Sequence, residues 1–273
     1  MTVVSPPAPR GALAATIGTR VVDWIPAIVV FVAAIAVWHF SIVAFHIEKF
    51  LLPKPGAIVS AFWTQRDTLW SAGWLTLKEA LGGFAIGSGL GILMAVVLAR
   101  FRRLGAALMP IAIAANAVPI IAFSPIFNAW FDPLSPAPRM ATAGVLCFFP
   151  VLVNTLRGLT SVDPDSIELM HSYAAPERAI FWKLRIPASL PFLFTALKIA
   201  AVLAMIGAVV GDYFGGSTES LGVQIESAVA LSRYELGWAA ILVASVIGMA
   251  LYAAVALAER FVVRWHPSAR SVD

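Results

Sequence analysis

The sequence predicts an all-α membrane protein of six hydrophobic helices. Of its 273 residues, 60% are apolar and only 12% are charged, against roughly 25% charged residues in soluble domains. The apolar residues gather into runs near 25–45, 77–99, 108–130, 141–159, 191–212 and 238–261, each close to the roughly 20 residues a helix needs to cross a bilayer. Lipid admits only helices or closed barrels, because every backbone polar group must be satisfied internally, and these runs lack the alternation of barrel strands. Their extent leaves no room for a soluble catalytic core.

The first run follows a basic, Pro-rich stretch with Arg10 and Arg20, as in a signal peptide. Ile25 to Phe45, however, holds 21 residues without a formal charge, enough for a crossing of roughly 31 Å. It reads as a retained span, with residues 1–24 as a tail. Phe50 to Trp74 carries Pro53, Pro55 and several tryptophans, which suits a segment lying along the outer surface. Lys78 and Glu79 then read as interfacial anchors at the start of the second span.

That span contains LGGFAIGSGLGILMA, with Gly83, Gly87 and Gly91 four residues apart. The spacing puts a bare strip on one helix face for close helix approach, either inside the chain or at a subunit seam. It is not a phosphate loop, since the lysine and Ser/Thr of a Walker A sequence are missing. In the third run, Pro119 and Pro125 must bend or open the helix, freeing carbonyls for protein neighbours or a water-filled path. Asn116, Pro119 and Asn128 are therefore candidate pathway residues, with a simple kink as the plainer alternative. Asp212, near the end of the fifth span, is the fourth candidate. It is either an intramembrane carboxylate with a function or a solvated span end. The segment GGSTESLGVQIESAVALSRYELGW suits a partly buried loop and helix.

Charge sets the expected orientation. With the N-terminus inside, 13 of the 19 Lys and Arg fall on the cytoplasmic side and six outside, so both termini are expected in the cytoplasm, including a tail at 266–273. The net charge of +4 is spread over helix ends rather than one face, which argues against nucleic-acid binding. Cys147 is the only cysteine and excludes an intrachain disulfide or cysteine metal cluster; it reads as a small packing residue. Histidines 39, 46, 171 and 266 show no metal-ligand spacing.

Thr160 to Leu190 is then the longest cytoplasmic loop, and reads SIELMHSYAAPERAIFWKLRIPASLP over most of its length. Asp163-Pro164 can cap and start a helix over 164–173. After a break at Ala175-Pro176, a second helix is expected from Glu177 to Arg185, with Ile180, Phe181 and Leu184 on one face. Two short amphipathic helices make a docking knob; the plainer alternative is a linker lying on anionic headgroups.

This loop resembles that of binding-protein-dependent ABC importer permeases, whose pattern is E-A-A, three residues, G, nine residues, I-x-L-P. Glu168, Leu169 and Met170 take the first places, Ala174 the glycine place, and Leu184, Ile186 and Pro187 the last, without a gap. Leu-Met replaces Ala-Ala, and Ala at 174 disfavours a left-handed turn there. The texts AVVGDYFGG, LGVQI and TALKIA are similar to the branch that moves nitrate, sulfonates, taurine and pyrimidine-type vitamin precursors.

The resemblance implies a type I importer permease fold, with one transmembrane domain over 25–265 in the bacterial cytoplasmic membrane and a coupling loop at 160–190. ATPase coupling would fall to Glu168, Leu169, Met170, Ser172, Ala174, Ala175, Leu184, Ile186 and Pro187. The implied partners are cytoplasmic ABC ATPase subunits, an extracytoplasmic substrate-binding protein and a second permease copy. ATP and magnesium would be used by the ATPase, with no cofactor on this chain and no catalysis by it. A secondary transporter or channel would instead call for ionisable residues near mid-span and internally repeated halves. An intramembrane enzyme would need a base beside a nucleophile such as Ser88, and no histidine can be assigned to it.

Overall fold

A computed structural model of the chain describes residues 12–115, 118–215 and 219–263, with the backbone alone for 12–24, 102, 120 and 121. The described elements are helical throughout. They are α1 (Ala12–Ala44), α2 (Pro55–Thr64), α3 (Arg66–Arg100), α4 (Arg102–Ala115), a 3-10 turn (Ile120–Phe123), α5 (Ser124–Trp130), α6 (Ala137–Thr160), α7 (Pro164–Ser172) and α8 (Glu177–Ile180). A π turn (Phe181–Arg185), α9 (Ile186–Tyr213), α10 (Leu221–Ala230) and α11 (Tyr234–Val262) complete the order.

Among the described residues, five stretches are long and apolar enough to cross a membrane: Ile25–Ala44, Arg66–Arg100, Ala137–Thr160, Glu177–Tyr213 and Tyr234–Val262. The sixth, expected at 108–130, is not one helix. Pro119 has no N–H to continue a helical ladder, and at Val118 and Pro119 the chain is out of the helix before it resumes as a 3-10 turn. Pro125 lies in the first turn of α5, where its missing donor costs nothing. The proline break expected there is thus complete rather than a bend.

Two other boundaries move. The surface segment expected over 50–74 is α2 followed by the first turns of α3, which runs on unbroken for 35 residues, roughly 52 Å at 1.5 Å per residue. The second loop helix does not stop at Arg185 but continues into α9 through the π turn. Its wide turn precedes Pro187, which cannot donate to the carbonyl four residues back; the Ile186 N–H reaches instead to the Phe181 carbonyl.

The core is the contact of α3, α6 and α9, with α11 laid over α9 and with α2 and α10 packed on α11. Small side chains bring the backbones together: Ala72 and Ala80 of α3, Cys147 of α6, and Ala196, Ala200, Ala204 and Ala208 of α9 are buried. A Cβ on Gly87 would run into the Gly144 carbonyl oxygen, one on Gly83 into Ala143 Cβ, and one on Gly91 would lie 2.8 Å from the Phe148 carbonyl. The glycine strip therefore serves packing within the chain. A second cluster of Leu98, Leu152, Leu156 and Leu159 closes the end that carries α7 and α8. By contrast, α1 lies almost wholly exposed along its apolar length, touching the bundle through Trp38 against Trp238 at 5.8 Å between ring centroids.

Candidate functional sites

Two regions stand out, at opposite ends of the bundle. The first is the α7–α8 turn. The Asp163 carboxylate accepts from the Asp165 N–H at 3.2 Å and caps α7, with Pro164 in the first turn. At the other end of α7, the Ala175 N–H bonds the Met170 carbonyl at 3.0 Å and the Ala174 N–H bonds the His171 carbonyl at 2.8 Å, the paired bonds of a Schellman motif. Ala174 sits at φ 53°. The left-handed turn that alanine disfavours is nevertheless formed, because these two bonds satisfy carbonyls the helix end would leave open. Pro176 is extended and launches α8.

The turn is anchored on one side and bare on the other. Ile180 is fully buried, and Phe181 and Ile186 pack against the leucines at the end of α6. Leu169, Tyr173 and Trp182 are 58%, 78% and 59% exposed, so large apolar side chains are left uncovered on that face. Glu168, Leu169, Met170 and Ser172 share α7, Ala174 and Ala175 form its terminal turn, and Leu184, Ile186 and Pro187 make the junction to α9.

The second region is a buried ionic cluster. Arg139, in the first turn of α6, places Nε 3.0 Å from Glu79 Oε1 on α3 and 3.6 Å from Asp212 Oδ1 on α9. Its terminal nitrogen donates to the Pro133 carbonyl at 2.6 Å and the Gly215 carbonyl at 3.2 Å. Thr76 Oγ1 donates to Asp212 Oδ2 at 2.8 Å and accepts from the Leu221 N–H at 3.0 Å, where α10 begins. One knot thus ties α3, α6, α9, α10 and two turns.

Several expectations change here. Asp212 is fully buried, not a solvated span end. Glu79 is not an interfacial anchor either: it turns inward, while its neighbour Lys78 stays exposed with Nζ 5.4 Å from the Trp74 ring centroid. Of the other pathway candidates, Asn128 donates from Nδ2 to the Phe214 carbonyl at 3.1 Å, Pro119 is exposed at the break after α4, and Asn116 lies outside the described residues. Arg139 and Thr76 were not singled out, yet a signal existed. Glu79 continues the Gly83, Gly87, Gly91 spacing backwards by four, Arg139 does the same for Ala143 and Cys147, and Asp212 extends Ala200, Ala204 and Ala208. Each charge sits on the face its helix buries.

Comparison with known proteins decides the family. Residues 87–264 match the family described as binding-protein-dependent transport system inner membrane component. The chain belongs to that family. It is 30% identical over 233 residues to the riboflavin transport system permease protein of Chloroflexus aurantiacus, covering 85% of this chain and 86% of that one. It is 32% identical over 226 residues to the formylaminopyrimidine transport permease protein of Halalkalibacterium halodurans, covering 80% and 87%. A bicarbonate transport system permease protein of Synechococcus elongatus is 23% identical over 189 residues, 69% of this chain and 68% of its own. The protein is thus a multi-pass permease of the inner membrane, from the branch that its fifth-span text and the segment after it resemble. Its relatives are transport subunits, not enzymes, and permeases of this family work with an ATPase and a substrate-binding protein.

Proposed function

We propose that this permease is the membrane-spanning half of an ATP-driven importer and receives its energy through the α7–α8 turn. The observation that carries the reading is the turn itself: a capped, Schellman-closed knob in gap-free register with the family pattern, bearing an exposed ridge of Leu169 and Tyr173. The Lys and Arg distribution supports a cytoplasmic position for that knob, within reach of an ATPase.

The packing supplies a lever. Movement of a docked knob passes through Ile180 and Phe181 to the end of α6, and through the π turn directly into α9. Because α6 and α9 share the core with α3, the bundle moves as a block, switching a central path between two identical copies from outward to inward access. ATP and magnesium belong to the ATPase in this scheme. The cargo is a small polar molecule of the kind named for its relatives, with a pyrimidine or thiamine precursor favoured by the 32% identity to the formylaminopyrimidine permease. Selectivity then rests mainly with the soluble binding protein.

The test is co-purification of the tagged permease with its ATPase, coupled to uptake. The expected result is a stable complex whose transport is abolished by Glu168→Arg combined with Ala174→Asp. Recovery of no ATPase, together with unchanged uptake by that double variant, would overturn the reading in favour of a carrier that needs no ATP.

A further inference from the structure

The cluster around Arg139 does not balance. Two carboxyl groups, Glu79 and Asp212, face one guanidinium, leaving one negative charge in excess, and all three side chains are 0–1% exposed. The local donors are already committed. Arg139 serves Glu79 Oε1, Pro133 and Gly215, while the Thr76 hydroxyl serves Asp212 Oδ2. Glu79 Oε2 accepts no hydrogen bond among the described residues, Asp212 Oδ1 has only its long 3.6 Å ion pair to Arg139 Nε, and the buried Asn128 Oδ1 beside Gly215 accepts none either. All three orphaned atoms are acceptors.

An uncompensated charge away from water costs several kcal/mol even after relaxation. Orphaned acceptors next to excess negative charge call for a positive ligand of small radius. We propose that the cluster binds one monovalent cation between Glu79 Oε2 and Asp212 Oδ1. A divalent ion would only reverse the imbalance. A sodium ion and a proton share the required chemistry, one unit of charge shared by two carboxyl oxygens. Either would complete a knot that holds α3 to α9 and pins the turns at Pro133 and Gly215.

The full-length permease in lipid nanodiscs tests this through its Tm. In one arm, sodium chloride replaces choline chloride at constant ionic strength and pH; in the other, pH is varied in choline chloride. Sodium binding raises Tm saturably in the first arm. Proton binding makes Tm fall with rising pH in the second. Glu79→Gln leaves Asp212 balanced against Arg139 and removes the excess charge, so it loses whichever response the wild type shows; Asp212→Asn does the same and serves if the first variant does not fold. Glu79→Asp keeps the charge and keeps the response. No response by the wild type in either arm, or equal responses by wild type and Glu79→Gln, overturns the proposal.

Discussion

Arg139 Nε lies 3.0 Å from Glu79 Oε1, with the partners sixty residues apart in sequence and both side chains 1% exposed. A pair so placed differs from surface ion pairs, because removing one member strands the other without water. Arg139→Gln is therefore expected to cost about 3–5 kcal/mol, read as a large drop in Tm and in the amount of permease recovered from membranes. Arg139→Lys keeps the charge but cannot reach Glu79 Oε1, Pro133 and Gly215 together from one ammonium, so it falls between the two. A Tm for Arg139→Gln within a degree or two of wild type would show that the cluster contributes little.

The route from sequence to structure was open where physics is local and closed where it is not. Hydrophobic runs located five of the six expected spans, since crossing a bilayer is a matter of length and polarity along one segment. The cap at Asp163 and the break at Pro176 were legible for the same reason, each being decided by its immediate neighbours. Glu79 was not, because Lys78 beside it resembles a membrane-surface pair while its true partner sits on another helix. The fifth span was underestimated because Lys183 and Arg185 look like a polar stop, although the π turn carries the helix straight through them.

The bare strip on α3 gives a sharp contrast between neighbouring glycines. At Gly87 a methyl group would press on the backbone of Gly144, whereas nothing lies within 4 Å of the equivalent position at Gly89. Gly87→Ala is expected to destabilise by about 1–3 kcal/mol through forced separation of α3 and α6. Gly89→Ala should be neutral or stabilising by up to about 1 kcal/mol, from helix propensity alone. Parallel thermal melts of the two variants check this, and equal Tm values would contradict the packing described.

Lys198 Nζ and Glu259 Oε2 meet at 2.7 Å between α9 and α11, with side chains 22% and 15% exposed. Lys198→Ala leaves a partly buried carboxylate behind and is expected to cost about 1–2 kcal/mol, less than the loss at Arg139 because the pair is not fully buried. The exchanged pair Lys198→Glu with Glu259→Lys restores most of that loss if the interaction is the one joining these helices. Failure of the exchange to improve on Lys198→Ala in a thermal melt would count against it.

Ala174 offers the cleanest separation of strain from contact. Its φ of 53° places Cβ against the following carbonyl, a cost of about 1–2 kcal/mol for an L-residue, while the two Schellman bonds to Met170 and His171 hold the turn in place. Glycine adopts the same backbone without that cost but loses more entropy on ordering, which takes back a part of the gain. Ala174→Gly is accordingly expected to stabilise the α7–α8 turn by about 1 kcal/mol, slowing exchange of the Ala174 and Ala175 amides by about fivefold relative to the rest of the chain. Ala174→Val adds a branched Cβ to the same strained backbone and should speed it. Because neither change touches Leu169 or Tyr173, an effect on ATPase docking that tracks the exchange rates would trace to the turn's rigidity and not to its surface, and faster exchange in the glycine variant would overturn the strain argument.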